Sequence, residues 1–238
     1  MSNQGTNAEN IFHGKGESQA SKLFYTESTP FISEIIKNNL EPGRYTLVDL
    51  GGHKGELLRE LLLRLPDYNF EASIIDEEEG LDADLNVKKI VADITNTPLV
   101  DKSVDVAVMR YVLPWNAFEK QKLIFKEIAR ICKGICIIQH QGANSNNPRP
   151  LQDASKRLFS GIVPKLKRDN GFFTESSQIE LWMDELNIHH EKLQERKIET
   201  LSEMFIEKFN LSSDDTALTR ETLKGCDYIM QTTWILRF

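Results

Sequence analysis

The sequence has few cysteines, no long apolar run and no excess of basic residues. Its three cysteines, Cys132, Cys136 and Cys226, show no C-x-x-C spacing, so we expect neither a disulfide framework nor a zinc or other metal site. No apolar run reaches the ~20 residues that a membrane-spanning helix needs. The first ten residues, "MSNQGTNAEN", lack the basic lead and apolar core of a signal peptide. These absences predict a cytoplasmic protein.

The charge balance also argues against a protein whose main role is to bind nucleic-acid backbones. The formal net charge is -7 and the pI is about 5.4, whereas proteins that bind nucleic-acid backbones need a basic surface. Basic residues are concentrated in one region, at Arg149, Lys156, Arg157, Lys165, Lys167 and Arg168. A solvated face is the simpler interpretation of this region, and a patch for an anionic or nucleic-acid partner is the alternative.

The N-terminal part contains one predicted helix. In "TPFISEIIKNNLEPG", Thr29 is expected to cap the helix with Pro30 at its first position, and Pro42-Gly43 ends it. We therefore assign residues 1–40 to a tail and a lid-like helical segment.

From Arg44 the chain alternates between apolar strands and amphipathic helices. The predicted strands are "YTLVDL", "EASIID", "KKIVAD", "VDVAVMR", "ICIIQH", "HHEKLQERKIET" and "YIMQTTWILRF"; the predicted helices cover about 55–65, 117–133, 151–168 and 175–187. Apolar strands without polar alternation indicate a parallel sheet that is buried on both faces. We predict a three-layer α/β/α doubly wound domain over residues 41–238, with residues 141–175 as an insertion that determines specificity.

A glycine-rich loop, "DLGGHKG", follows the first of these strands. In open parallel sheets, ligands bind beyond the carboxyl ends of the strands, and glycines allow a tight turn close to a ligand. Loops of this kind hold either a dinucleotide or S-adenosylmethionine. The G-x-G-x-x-G spacing of dinucleotide sites is not met by Gly51, Gly52 and Gly55.

The next strands also end in residues suited to a nucleoside. Asp76 ends "IID" and can accept hydrogen bonds from ribose hydroxyls, while the following glutamates have a simpler interpretation as a solvated acidic turn. Asp93 and Ile94 follow "KKIVA" and fit an adenine, although Asp93 has the alternative role of capping the turn "DITNTP".

These stretches together resemble one family. The series "VDLGGHKG", "IID", "VADITNTPLVDKSVDVAVMRYVL" and "IFKEIARICKGICIIQ" resembles the class I S-adenosylmethionine-dependent methyltransferases, in particular the small-molecule branch. The resemblance extends from about Arg44 to His140. It implies a Rossmann-like, seven-stranded sheet with an antiparallel last strand, and S-adenosyl-L-methionine as the cofactor.

The resemblance also implies a set of cofactor-binding residues. Asp49 and the loop would face the methionine part, Asp76 the ribose, and the backbone of Arg110 the amino group. The full set is Asp49, Gly51, Gly52, His53, Gly55, Asp76, Glu77, Asp93, Ile94 and Arg110. The family pattern has a glycine where this chain has His53, and a side chain there would crowd the cofactor or impose strain if φ is positive.

The expected function is methyl transfer to an oxygen, nitrogen or carbon atom of a small molecule. His140 is predicted to end the fifth strand at the rim and to act as a base, with Tyr111 as the second catalytic candidate. The acceptor would lie between the N-terminal segment, Arg110–Trp115, His140 and residues 141–175. RNA or protein acceptors are alternatives, as is a non-catalytic binding protein with this fold. The sequence predicts no oligomeric state.

Overall fold

The computed structural model describes residues 19–79, 87–142, 172–199, 206, 212–222 and 228–238. Five helices lie within these ranges: α1 (Gln19–Asn39), α2 (Glu56–Arg64), α3 (Phe118–Ile131), α4 (Ser176–Glu185) and α5 (Ser213–Thr222). The strands are β1 (Arg44–Leu50), β2 (Asn69–Asp76), β3 (Lys88–Val91), β4 (Val104–Arg110), β5 (Cys132–Gly142), β6 (His189–Glu199) and β7 (Tyr228–Arg237). No described helix is long and apolar enough to cross a membrane.

The seven strands form one sheet in the order β3-β2-β1-β4-β5-β7-β6. Neighbouring strands from β3 to β5 are parallel, and β7 runs antiparallel to both β5 and β6. The expected doubly wound sheet with an antiparallel last strand is therefore confirmed. The strand order reverses between β1 and β4, so this is where the fold opens a cleft at the carboxyl ends of the strands.

Two apolar cores cover the two faces of the sheet. On one face, α1 and α2 contribute Ile32, Ile36 and Leu58, which pack with Leu47 and Val108 of the sheet. The other face carries a larger set from α3, α4 and the strands, which includes Phe125, Ile128, Trp182, Met183, Ile138 and Trp234. Cys132 and Cys136 are buried free thiols of β5 and serve as small apolar residues of the core. The helices thus hold the sheet rigidly from both sides.

The predicted start of the first helix was wrong. Helix α1 begins at Gln19, and Pro30 lies inside it. Thr29 is buried and its hydroxyl accepts a hydrogen bond from Arg110 of β4, so it makes a tertiary contact where a helix cap was expected. Proline removes one helix hydrogen bond, and here packing of α1 on the sheet outweighs that local signal.

The predicted end of β5 was also wrong. The strand continues past His140 to Gly142, because residues 140–142 pair with residues 230–232 of the closing strand β7. Other predicted elements within the described residues agree to within a few positions. The predicted helix over 151–168 and the basic region lie outside the described residues.

Gly134 allows two strands to approach at a register shift. The pairing of β4 with β5 shifts between Val104 and Val106, and a Cβ atom on Gly134 would lie 2.3 Å from the backbone oxygen of Asp105. Because this neighbour is backbone, the strands themselves would have to move.

We expect Gly134→Ala to lower the free energy of unfolding by about 1–3 kcal/mol, the usual cost of overpacking. Gly43→Ala is the matched control, since the atoms nearest to a Cβ atom there belong to the side chain of Tyr45, at 3.2 Å, and not to backbone. Urea unfolding of both variants measures the difference. Equal stability of the two variants would contradict the steric role of Gly134.

Candidate functional site

The glycine-rich loop makes a tight turn between β1 and α2. Gly51 has φ 71° and Gly55, which precedes α2, has φ 91°. The N–H of Gly51 donates to the carbonyl of Ile75 in β2 at 2.7 Å, and that of Gly55 donates to Gly52 at 2.8 Å. These bonds fix the loop to the carboxyl edge of the sheet, as the sequence predicted.

Two of the loop glycines are required by their surroundings. A Cβ atom on Gly51 would lie 2.5 Å from the side chain of Val112, and one on Gly52 would lie 2.5 Å from Oδ2 of Asp49. Gly51 also lies in the left-handed region that favours glycine. The loop backbone therefore lies directly against the buried carboxylate of Asp49.

Asp49 is the most perturbed carboxylate at this edge. It is 1% exposed, and its Oδ2 atom has no hydrogen-bond partner among the described residues. Burial raises the pKa of Asp49 to about 7, against the opposing field of Arg110. A buried, unsatisfied acceptor that ionises near neutral pH is suited to a ligand that brings a donor or a positive charge.

His53 lies in the left-handed region, with φ 46°, so the strain anticipated from the sequence is present. Its N–H donates to Oδ2 of Asp76 at 2.9 Å, and its carbonyl accepts from Nζ of Lys89 at 2.5 Å. The imidazole Nε2 lies 3.4 Å from Oε2 of Glu78. The other oxygen of Asp76 accepts from the N–H of Glu78 at 3.0 Å. Asp76 thus organises the loop, and its ribose-binding role stays a prediction.

The third strand ends in a turn that Asp93 caps. Its Oδ1 atom accepts from both the N–H and the hydroxyl of Thr95, and its Oδ2 atom accepts from Lys120 at 3.0 Å. Glu77 is exposed and faces the same lysine at 3.4 Å. Ile94 is buried in the larger core. Both interpretations of Asp93, turn cap and adenine contact, are compatible with this geometry.

Arg110 connects α1 to the cleft. Its Nη1 atom donates to the hydroxyls of Ser28 and Thr29 at 3.2 and 3.3 Å, and its charge acts on Asp49. The sequence interpretation assigned a role only to the backbone of this residue. Its side chain holds the N-terminal helix over the carboxyl ends of β1 and β4.

Tyr111 follows β4 in a strained conformation, with φ 58°. Its phenolic oxygen accepts from Nε2 of Gln231 at 2.6 Å, and Oε1 of Gln231 accepts from Nε of Arg196 at 2.6 Å. Because arginine can only donate, this contact determines the orientation of the Gln231 amide. The Tyr111 hydroxyl oxygen therefore accepts a hydrogen bond from Gln231, and the Tyr111 hydroxyl proton is not donated to Gln231.

His140 does not lie on the rim, which corrects its predicted location. It is 0% exposed, its Nε2 atom donates to the carbonyl of Thr174 at 2.8 Å, and Nδ1 has no partner among the described residues. Burial lowers the pKa of His140 to about 4, so the ring is neutral at pH 7. The cause is the extension of β5, which places His140 inside the sheet.

Several site residues were missed by the sequence interpretation. Lys89 and Gln231 are long polar residues within predicted strands, which was a usable signal, although other residues of these strands are polar as well. Ser28 and Thr174 gave no comparable signal, because only tertiary packing brings them to Arg110 and His140. Residues 143–171, most of the predicted specificity region, lie outside the described residues.

The central part of the chain matches a known family. Residues 48–138 match the family model described as "Methyltransferase domain". This part of the chain, less than half of its length, is therefore similar to methyltransferase domains. No curated protein sequence matches significantly.

Solved structures of low sequence identity share the fold of this chain. The YcgJ protein of Bacillus subtilis has a TM-score of 0.67 at 13% identity, over 89% of this chain and 98% of its own. Geranyl diphosphate C-methyltransferase of Streptomyces coelicolor has a TM-score of 0.58 at 14% identity, over 88% and 79%. A proposed sarcosine dimethylglycine methyltransferase of Galdieria sulphuraria has a TM-score of 0.60 at 12% identity, over 89% and 85%. At these identities the similarity establishes the fold alone.

Proposed function

We propose that this chain transfers a methyl group from S-adenosylmethionine to a small-molecule acceptor. The observation that carries the proposal is the unsatisfied, buried Oδ2 atom of Asp49 directly beneath a loop whose Gly51 and Gly52 admit no Cβ atom. A cradle of this kind fits a cationic ligand that approaches the backbone closely. The structural neighbours crystallised with S-adenosylhomocysteine or sinefungin support the same cofactor class.

The residues at the strand ends fit the parts of this cofactor. Asp49 with Gly51, Gly52 and Gly55 would face the methionine part, and Arg110 would contact its amino group through the backbone. Asp76, beside Glu77, would hold the ribose, and Asp93 with Ile94 would line the adenine pocket. When bound, S-adenosylmethionine supplies a methyl group activated by a sulfonium. The chain's own residues hold the reactants in line and exclude water.

A small-molecule acceptor is favoured over a macromolecule. The net charge of -7 opposes nucleic-acid backbones, and two of the similar structures carry geranyl diphosphate or the name of a sarcosine methyltransferase. We place the acceptor beside Tyr111 at the carboxyl ends of β4 and β5, next to the amino end of β7 and under α1. The binding measurement below tests the non-catalytic alternative.

We expect the affinity for S-adenosylmethionine to rise about tenfold between pH 6 and pH 8. The pKa of Asp49 is about 7 without a ligand, and nearby cationic groups of the cofactor favour the ionised form, so binding releases a proton below pH 7. The gain levels off once Asp49 is ionised in the free protein. Isothermal titration calorimetry between pH 6 and pH 8 measures this change in affinity. In Asp49→Asn we expect the affinity to be independent of pH.

Failure of S-adenosylmethionine to bind below about millimolar concentration at pH 8 would contradict the proposed function and leave a non-catalytic protein with this fold. Binding with equal affinity at pH 6 and pH 8 would contradict only the role of Asp49.

Asp76→Ala should weaken S-adenosylmethionine binding at least about tenfold, because it removes the ribose acceptor and the hydrogen bond that holds His53. Glu79→Ala, a change of an exposed carboxylate in the same turn, is the control and should stay within about twofold. Calorimetry at pH 8 compares the two variants. An unchanged affinity in Asp76→Ala would refute the ribose assignment.

We also propose that Tyr111 acts on the acceptor by contact through its oriented hydroxyl, and that His140 supports the site from within the sheet through its hydrogen bond to Thr174. Tyr111→Phe should lower the rate of S-adenosylhomocysteine formation with a panel of small-molecule acceptors about 10²-fold, with cofactor affinity unchanged.

The pKa of about 4 for His140 predicts no His140-dependent change of rate between pH 5.5 and 8. The rate is measured against pH in the wild type and in His140→Asn. A change of rate with a midpoint near pH 6.5 that is present in the wild type and absent from His140→Asn would contradict the buried, neutral state of His140.

A further inference from the structure

The loop that holds the cofactor in the proposed function contains a residue in an unfavourable conformation. His53 has φ 46°, a region in which an L-residue other than glycine costs roughly 1–2 kcal/mol. Such strain persists only where the surroundings hold the residue in place. The contacts of His53 should therefore include the groups that impose this conformation.

Both peptide groups that flank His53 are held by charged side chains from neighbouring strands. Oδ2 of Asp76, at the end of β2, accepts from the His53 N–H, and Nζ of Lys89, in β3, donates to the His53 carbonyl. The two strands are paired directly, with Ile74 opposite Lys89 and Asp76 opposite Val91. Hydrogen bonds with one ionised partner are about twice as strong as neutral ones.

The position of Lys89 in β3 allows it to bind the His53 carbonyl. It is half-buried, whereas the preceding residue of the same strand, Lys88, is exposed. Burial lowers the pKa of Lys89, and the fields of Asp76 and then Asp49 oppose that effect. Its ammonium group therefore lies among the carboxylates of the cleft and reaches across them to the loop.

We propose that Lys89 is a positioning residue that holds His53 in the left-handed conformation and so keeps the glycine loop in the shape that binds the cofactor. This inference rests on the proposed function. Lys89 compensates for the glycine that the family has at this place. The imidazole contributes little to this effect, because its contact with Glu78 lies at 3.4 Å between two partly exposed side chains.

A set of paired variants separates this role from a general effect of the charge. Lys89→Met is made in three backgrounds: wild type, His53→Ala and His53→Gly. Both changes at residue 53 remove the imidazole, but only glycine removes the conformational strain. Lys88→Met is the matched control, since it removes the same charge from the exposed neighbour. The probe is S-adenosylhomocysteine, measured by calorimetry at pH 8.5 so that Asp49 is largely ionised.

We expect Lys89→Met to weaken S-adenosylhomocysteine binding about tenfold in the wild-type and His53→Ala backgrounds, and by no more than about twofold in His53→Gly. Lys88→Met should stay within about twofold. Equal weakening in all three backgrounds would overturn the proposal, because Lys89 would then act independently of the conformation of residue 53.

The same variants distinguish a failure of this inference from a failure of the proposed function. If the wild-type chain does not bind S-adenosylhomocysteine, the proposed function fails. The melting temperatures then test the pair alone: Lys89→Met should lower Tm more in wild type and His53→Ala than in His53→Gly. An equal decrease in the three backgrounds would overturn the inference.

Discussion

The carboxylate of Asp49 is buried at the carboxyl end of β1, and the two cations whose fields favour its ionisation each hold a different part of the cleft. Arg110 binds the hydroxyls of Ser28 and Thr29 and so ties α1 to the sheet. Lys89 binds the loop at His53. Burying one acid without a hydrogen-bond partner is costly. Here Arg110 and Lys89 reduce this cost, and the same two side chains connect α1, the glycine-rich loop and β3.

The order of the strands divides the tasks of the cleft. On one side of β1, the strands β2 and β3 carry Asp76 and Lys89, which organise the loop. On the other side, Tyr111 after β4 is oriented by Gln231 of β7. The two groups meet at the point where the strand order reverses. A ligand that spans this point would contact both, as methyl transfer between two bound molecules requires.

The sequence predicts the sheet well because its signals are local. Apolar strands and the loop glycines follow from spacing and composition, and Asp49, Asp76 and Asp93 follow from their places at strand ends. The errors concern tertiary contacts. Thr29 is bound by Arg110 where a helix cap was expected, and pairing with β7 extends β5 beyond His140. Lys89 and Gln231 were missed because their partners are distant in sequence, even though a long polar residue in a predicted strand was visible.

The unfavourable features of the described structure are concentrated at this edge of the sheet. Positive φ values of non-glycine residues occur at His53 and Tyr111, and unpartnered buried atoms at Asp49, Gln139 and His140; among the described residues, the one further unpartnered buried atom, Nη1 of Arg237, lies at the opposite edge. The other two non-glycine residues with positive φ, Lys102 and Asn187, are exposed. Each strained or unsatisfied group costs on the order of 1–3 kcal/mol. The two apolar cores stabilise the fold enough to tolerate this cost. A ligand that donates a hydrogen bond to Asp49 would remove part of this free-energy cost, and the difference would strengthen binding. A site whose polar groups were all satisfied could not contribute to binding in this way.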